Sequence, residues 1–489
     1  LSFGLRYENQ SNIGSNFNIA PRFGFAWSPG AGGAKAPKTV FRGGFGIFYD
    51  RFNENSTLRA RRNDGVSQVQ YVVTNNTGNI LGQASFTNTG VTNVPTAAQL
   101  GTVTPLSSVP FRIADNLSAP YAIQSAISVE RQLNPRTVFS ATYTTSRSLH
   151  TLRTRNINAP VCPDAVVCPS GLTAVQVSAL RPNPTLGNVT LIESSGYSKT
   201  DLMFINLRTT IASKYTLSGG YSLSYASGDT DSLTSPRFTV NTVGFPAYSY
   251  DLSNEYAPSA FNARHSVFFF GSATLPWGFR LSPIIVATSG RRFNITSGVD
   301  TNYDSLFFER PTFSALSARC QQLLLTNSFC DIGGTADPNA TIPRNYGKGP
   351  GSFNMNVNLS KTFGFGGGSK TAVAANQSGG QNQGAQGAQR GGGGGGGGRG
   401  PGGGPQTVMM GGGGGGMFGG GGDARKPYNL TLGVNVQNVL NNVNLSQPVG
   451  SLTSPSFGRP RSTGGGFGFG GGGGGSANRR VDLQMRFSW

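Results

Sequence analysis

Residues 300–311 read DTNYDSLFFERP and set Asp300, Asn302 and Asp304 at alternate positions. Oxygen-bearing side chains at the first, third and fifth places of a loop are a pattern that calcium uses. The pattern then departs, because Ser305 stands where the tight turn takes glycine and Pro311 where the bidentate glutamate belongs. Two readings stay open, a loop that holds calcium and a turn closed by side-chain hydrogen bonds. The four cysteines fall in two close pairs, Cys162 and Cys168 in CPDAVVC, Cys320 and Cys330 in CQQLLLTNSFC. Neither pair has the short CxxC spacing of zinc ligands, and the only histidines, His150 and His265, are distant in sequence. Local disulfides in an oxidising compartment are preferred to free thiols, joining Cys162 to Cys168 and Cys320 to Cys330, although four cysteines allow other pairings.

Other chemistry finds little support. Two histidines outside any recognisable motif give no Ser, His and Asp arrangement, and no carboxylates are paired for acid and base work, so an enzyme is not expected. Neither is a cofactor. The glycine runs lack GxxxxGK[ST] and the order of strand, turn and helix that a phosphate loop needs. An RGG at 390–392 is isolated, which favours a flexible linker over an RNA-binding tail. The net charge of +19 is scattered, with one tight cluster at Arg59, Arg61 and Arg62 and no helical stripe, so no nucleic-acid partner is expected.

The elements that would carry these loops are strands. No apolar run approaches the roughly 18 residues of a spanning helix. Instead, YNLTLGVNVQNVL sets Tyr428, Leu430, Leu432, Val434 and Val436 against Asn429, Thr431, Gly433, Asn435 and Gln437. FNMNVNLSKTF and the closing NRRVDLQMRFSW alternate in the same way. About twelve such segments, roughly nine to thirteen residues each, match the length of tilted outer-membrane strands. They lie near 1–8, 19–28, 38–50, 120–132, 137–147, 202–211, 215–226, 264–275, 279–289, 352–363, 427–438 and 479–489. Tight turns at LNPR, ASK and LPWG alternate with long polar links, the layout of an outer-membrane barrel. That parity puts the C-terminus on the periplasmic side and both cysteine pairs outside. Tyr49, Phe52, Tyr121, Tyr225, Trp277 and Tyr428, near strand ends, are candidates for aromatic girdles.

One connection breaks the alternation of lengths. Residues 364–426, rich in Gly and Gln, should be a short periplasmic turn, yet they have little apolar surface to bury and are expected to stay disordered. A smaller glycine run lies at 464–476. The expected organisation is therefore barrel strands and loops over 1–363, a linker over 364–426, and the last strands over 427–489. The chain opens on Leu1 with no signal peptide, which reads as a piece whose N-terminal portion is missing.

Taken together, APRFGFAWSP, TVFRGGFGIFYDRF, PYAIQSAISVERQL, SGRRFNITSGVDTNYDSLFFERP, NYGKGPGSFNMNVNLSKTF, NVLNNVNLSQPVGSLTSPSFGRP and RRVDLQMRFSW resemble the C-terminal barrel of TonB-dependent outer-membrane receptors. The nearest group is the Oar-like one, with a carboxypeptidase-regulatory-like domain at its N-terminus. The resemblance implies an all-β, antiparallel transmembrane barrel of about 22 strands, of which about twelve are present. It implies an outer membrane of the Gram-negative type, with lipid and lipopolysaccharide around the barrel. It also implies coupling to the TonB complex through the missing N-terminal region, and an unknown small-molecule, glycan or peptide ligand. Phe487 and Trp489 resemble the signal read by the barrel-assembly machinery. Active uptake of a scarce nutrient is the expected function, and a surface adhesion protein anchored by the barrel is the alternative. With its first strand belonging to the middle of the family's barrel, the sheet is expected to curve without closing.

Overall fold

The computed structural model describes residues 1–11, 13–31, 37–52, 54–64, 85–87, 90–92, 96, 107–162, 168–212, 214–231, 245–332, 337–366, 426, 428–464 and 478–488. Twelve long strands pair in chain order in one antiparallel sheet. Numbering only these, they are β1 (Ser2–Glu8), β2 (Asn18–Trp27), β3 (Thr39–Tyr49), β4 (Tyr121–Asn134), β5 (Thr137–Asn156), β6 (Leu186–Ile211), β7 (Tyr215–Gly228), β8 (His265–Thr274), β9 (Phe279–Thr288), β10 (Ser352–Phe365), β11 (Tyr428–Gln437) and β12 (Arg480–Ser488). Each falls on a segment marked by alternation in the sequence. β1 pairs with β2 alone and β12 with β11 alone, so among the described residues the sheet is open.

Register explains why alternation was so informative. Leu281 of β9 faces Leu359, which faces Val434, which faces Leu483. One residue on, Ser282, Asn358, Asn435 and Asp482 form the equivalent row. Directly opposed residues share a face, so the first of these two rows is wholly apolar and the second wholly polar. Tracing the ladders across the sheet puts Phe3, Phe23, Ile127, Tyr143, Met203, Leu432 and Met485 on the first face. The large apolar side chains that these strands leave exposed lie on that face; Leu483 is 81% and Met485 77% exposed. In water such a surface would drive association, whereas a hydrocarbon layer covers it. The second face carries Asn354, Asn356, Asn358, Gln484 and the arginines Arg22, Arg42, Arg208, Arg280 and Arg486.

The two ends of the sheet differ. At one end Asn134 and Pro135 turn β4 into β5, with Asn134 Oδ1 accepting from Arg136 N at 2.9 Å. Pro276–Gly278 turns β8 into β9, and both Trp277 (φ 60°) and Gly278 (φ 78°) are left-handed there. Glycine suits that conformation; Trp277 adopts it at a local cost. At the other end lie the long connections 9–17, 50–120, 157–185, 229–264, 289–351 and 438–479.

Two strands run well beyond their expected bounds. β5 continues to Asn156 and β6 begins at Leu186, giving 20 and 26 residues. At 3.3 Å per residue β6 is roughly 85 Å long, far more than a membrane requires. The extra length was illegible because TLRTRN and VTLIESSGYSKT have no apolar face; ladder bonds and the Arg155–Glu193 ion pair at 3.0 Å hold them. Strand Ser107–Ile113 runs parallel to the start of β6.

The packed apolar clusters lie in the long connections. Phe293, Ile295, Leu316, Cys320, Phe329, Ile342 and Phe457 join 289–351 to 438–479. Helix Phe313–Gln322 presents Leu316 and Cys320 to this cluster, its N-terminus capped by Thr312 Oγ1, which accepts from Ala315 N at 3.2 Å. A second cluster combines Ile13, Phe52, Phe111, Leu117, Ala119 and Ile192. Residues at this end therefore pack into a crown with cores of its own.

Candidate functional site

The crown contains an unusual density of buried charge, most of it paired. Arg310 Nη1 meets Glu255 Oε1 at 2.8 Å, both side chains being almost wholly buried. Arg344 contacts Asp231, and its Nε lies 3.8 Å from Glu255 Oε2. Arg153 Nη2 meets Asp229 Oδ2 at 2.9 Å, and Arg155 meets Glu193. Desolvating a carboxylate is costly, and an arginine fork with several donors offsets that cost.

One acidic group lacks such partners. The chain from Ser297 to Glu309 folds back on itself, with Ser297 N donating to Glu309 O at 2.7 Å. Asp300 Oδ1 accepts from Asp304 N at 3.1 Å and its Oδ2 from Ser305 N at 2.8 Å. Asn302 Oδ1 also accepts from Asp304 N, while its Nδ2 donates to Asp304 Oδ2, each at 3.1 Å. Asp304 Oδ1 accepts from Leu306 N at 2.8 Å, and Glu309 Oε1 from Thr301 N at 3.1 Å. The turn is tight enough to place Tyr303 (φ 56°) and Ser305 (φ 60°) in the left-handed region. Ser305 thus takes the conformation for which the calcium-loop pattern prefers glycine.

The result brings one oxygen each of Asp300, Asp304 and Glu309 within 4.8 Å of one another. Asp304 is 2% and Glu309 1% exposed. No ion pair among the described residues reaches any of the three carboxylates. Burial, reinforced by the neighbouring Asp300 charge, raises the Asp304 pKa to about 7. Burial, then the charges of Asp304 and Asp300, raise that of Glu309 to about 8. Glu309 Oε2 is buried with no hydrogen-bond partner among the described residues. Sequence spacing brought Asp300, Asn302 and Asp304 together but missed Glu309, which lies two residues before the position occupied by Pro311. Its one signal was a lone acid directly after the apolar LFF.

This loop docks on the 157–185 connection. Cys168 N donates to Thr301 O at 3.0 Å, Gly171 N donates to Tyr303 Oη at 3.1 Å, and Tyr303 Oη donates to Pro169 O at 3.3 Å. Disulfides join Cys162 to Cys168 and Cys320 to Cys330, with Cα separations of 5.0 and 5.8 Å. Both therefore stiffen the crown, the second from within an apolar cluster.

The other marked residues are dispersed. Phe487 stacks against Tyr428 at 6.1 Å and lies 6.0 Å from Phe365 at the short-turn end; Trp489 lies outside the described residues. Tyr49 and Tyr121 pair at 5.3 Å where the crown begins, Tyr225 holds Arg264 over its ring at 4.4 Å, and Trp277 is 84% exposed on its turn. Phe52 departs from the girdle expectation: it is 2% exposed inside the second cluster, because the chain turns into the crown after Tyr49. Arg61 and Arg62 close helix Glu54–Arg62, whose Arg59 side chain lies outside the described residues. The RGG and nearly all of the expected linker are outside them too, as is the glycine run at 464–476 apart from its first residue.

A family model for an outer membrane beta barrel domain matches residues 4–375. No curated protein matches the chain. Among solved structures, the outer membrane transporter YddB from Escherichia coli is similar with a TM-score of 0.43 and 12% identity, over 88% of this chain and 38% of that one. A ferric enterobactin receptor, PfeA, from Pseudomonas aeruginosa gives 0.40 and 8%, over 97% and 40%. The FrpB iron transporter from Neisseria meningitidis gives 0.37 and 10%, over 96% and 39%. The chain thus spans about two fifths of each of these transporters.

Proposed function

Because the chain belongs to the outer membrane beta barrel domain family, we propose that its sheet is an arc of the wall of a TonB-coupled receptor that takes up a scarce nutrient. The chain is an outer-membrane protein. On this reading the exposed apolar face meets lipid, the Asn- and Arg-bearing face lines a wet lumen, and the crown captures ligand outside the cell. The observation that carries it is the register: the large apolar side chains that the twelve paired strands leave exposed all fall on one face of the sheet. Further strands would pair the edges left free at β1 and β12, since closure removes exposed backbone donors and acceptors. Residues 364–426 would then be a periplasmic linker between the barrel segments 1–363 and 427–489, and binding and passage rather than catalysis would be the work of the site.

The crown's two disulfides and buried ion pairs favour a second reading, an adhesion protein that uses the barrel as an anchor. A strain lacking the gene separates the two. The uptake reading expects slower growth on a limiting nutrient, no further loss when TonB is also removed, and restoration by the intact gene only with TonB present. Normal uptake of every nutrient tried, with loss of surface attachment, would transfer the assignment to adhesion.

A further inference from the structure

We propose that the crown holds a structural calcium ion, bound by the carboxylates of Asp300, Asp304 and Glu309. The reading is independent of what the barrel transports. Other carboxylates of the crown, the buried Glu255 and the half-buried Glu193, Asp229 and Asp231, each meet an arginine, whereas these three converge with no ion-pair partner among the described residues. Glu309, 1% exposed, keeps Oε2 without a hydrogen-bond partner among the described residues, the sort of orphan acceptor that folded proteins rarely tolerate. A cation supplies what both observations lack.

The dimensions suit calcium. Oxygens on opposite sides of one calcium ion are about 4.6 to 5.2 Å apart, twice its usual bond length. The three carboxylates offer oxygens within 4.8 Å, inside that span. An all-oxygen set with three formal negative charges selects a hard divalent cation, and flexible loop ligands favour calcium over magnesium, which demands a regular octahedron. Backbone donors from Asp304, Ser305, Leu306 and Thr301 already fix the carboxylates, leaving further lone pairs for metal. Since Thr301 and Tyr303 also bond to Cys168, Pro169 and Gly171, the ion would lock the 289–351 connection to the 157–185 connection.

The test uses the full chain refolded in detergent free of lipopolysaccharide, which itself binds calcium. Equilibrium dialysis against radioactive calcium at about 1 mM, within the range of extracellular sites, should retain one tightly held ion per chain. Magnesium at the same concentration should displace little of it. Glu309→Gln and Asp300→Asn should each weaken binding by about tenfold or more. Ser305→Gly, which removes no ligand and relieves a left-handed serine, should bind at least as tightly as the parent and thereby control for loss of fold. Asp251→Asn, which lies outside the three-carboxylate cluster, should bind like the parent. Absence of retained calcium in the parent, or parental affinity in folded Glu309→Gln, would overturn the site.

Discussion

Val434 sits between Leu359 and Leu483 in an apolar row, while Gln437 lies on the opposite face with its Nε2 donating to Asp482 at 3.2 Å. Val434→Arg should cost about 2 to 4 kcal/mol in a bilayer and Gln437→Arg much less, read from denaturant unfolding of protein refolded into vesicles. Equal costs would mean that the two faces are misassigned. Inside the crown, Arg310→Met should destabilise by about 3 kcal/mol, because among the described residues the only cationic partner left to Glu255 would be Arg344, whose Nε lies 3.8 Å away. Faster hydrogen exchange confined to 245–332 is the expected signature; unchanged protection there would show the pair to be dispensable. Alternation displayed Val434 directly in the sequence. Glu255 and Arg310 it could not display, since a pair 55 residues apart is joined only by loop folding.

At the scale of elements, the strands were legible wherever one face must meet hydrocarbon. Where β5 and β6 rise clear of that requirement, apolar residues such as Val189 and Ile192 no longer alternate with polar ones and the pattern stops, though the ladder continues from Leu149 to Asn156. Loop structure follows a different logic: Phe293 and Phe457 belong to one cluster but to connections separated by two strands, so no local signal links them. The disulfides act on this level. Replacing all four cysteines by alanine should loosen the crown to protease while leaving the sheet's resistance to detergent unchanged, because short covalent loops remove little entropy from the unfolded chain. Mass spectrometry of unreduced peptides should find Cys162 linked to Cys168 and Cys320 to Cys330. Four freely alkylated thiols would contradict both bonds.

At the scale of the whole sheet, no ladder joins β1 to β12 among the described residues, which leaves two strand edges unpaired there. Deleting 370–422 should spare folding and membrane insertion, since a glycine-rich connection at the short-turn end has little to bury and a long loop costs little more to close than a shorter one. The measurement is the heat-modifiable band on a gel, and its loss would assign that stretch a structural partner. The parallel seat of Ser107–Ile113 on β6 has a consequence of another kind, in time. That segment precedes β4, yet its docking place is created only when residues 186–192 emerge and β6 is in position. Contacts that span so much chain form slowly. The hairpin of β4 and β5 can assemble from local contacts, whereas Ser107–Ile113 must wait until β6 arrives. Pulse-labelled chains should therefore acquire protection at 121–156 before they acquire it at 111–113.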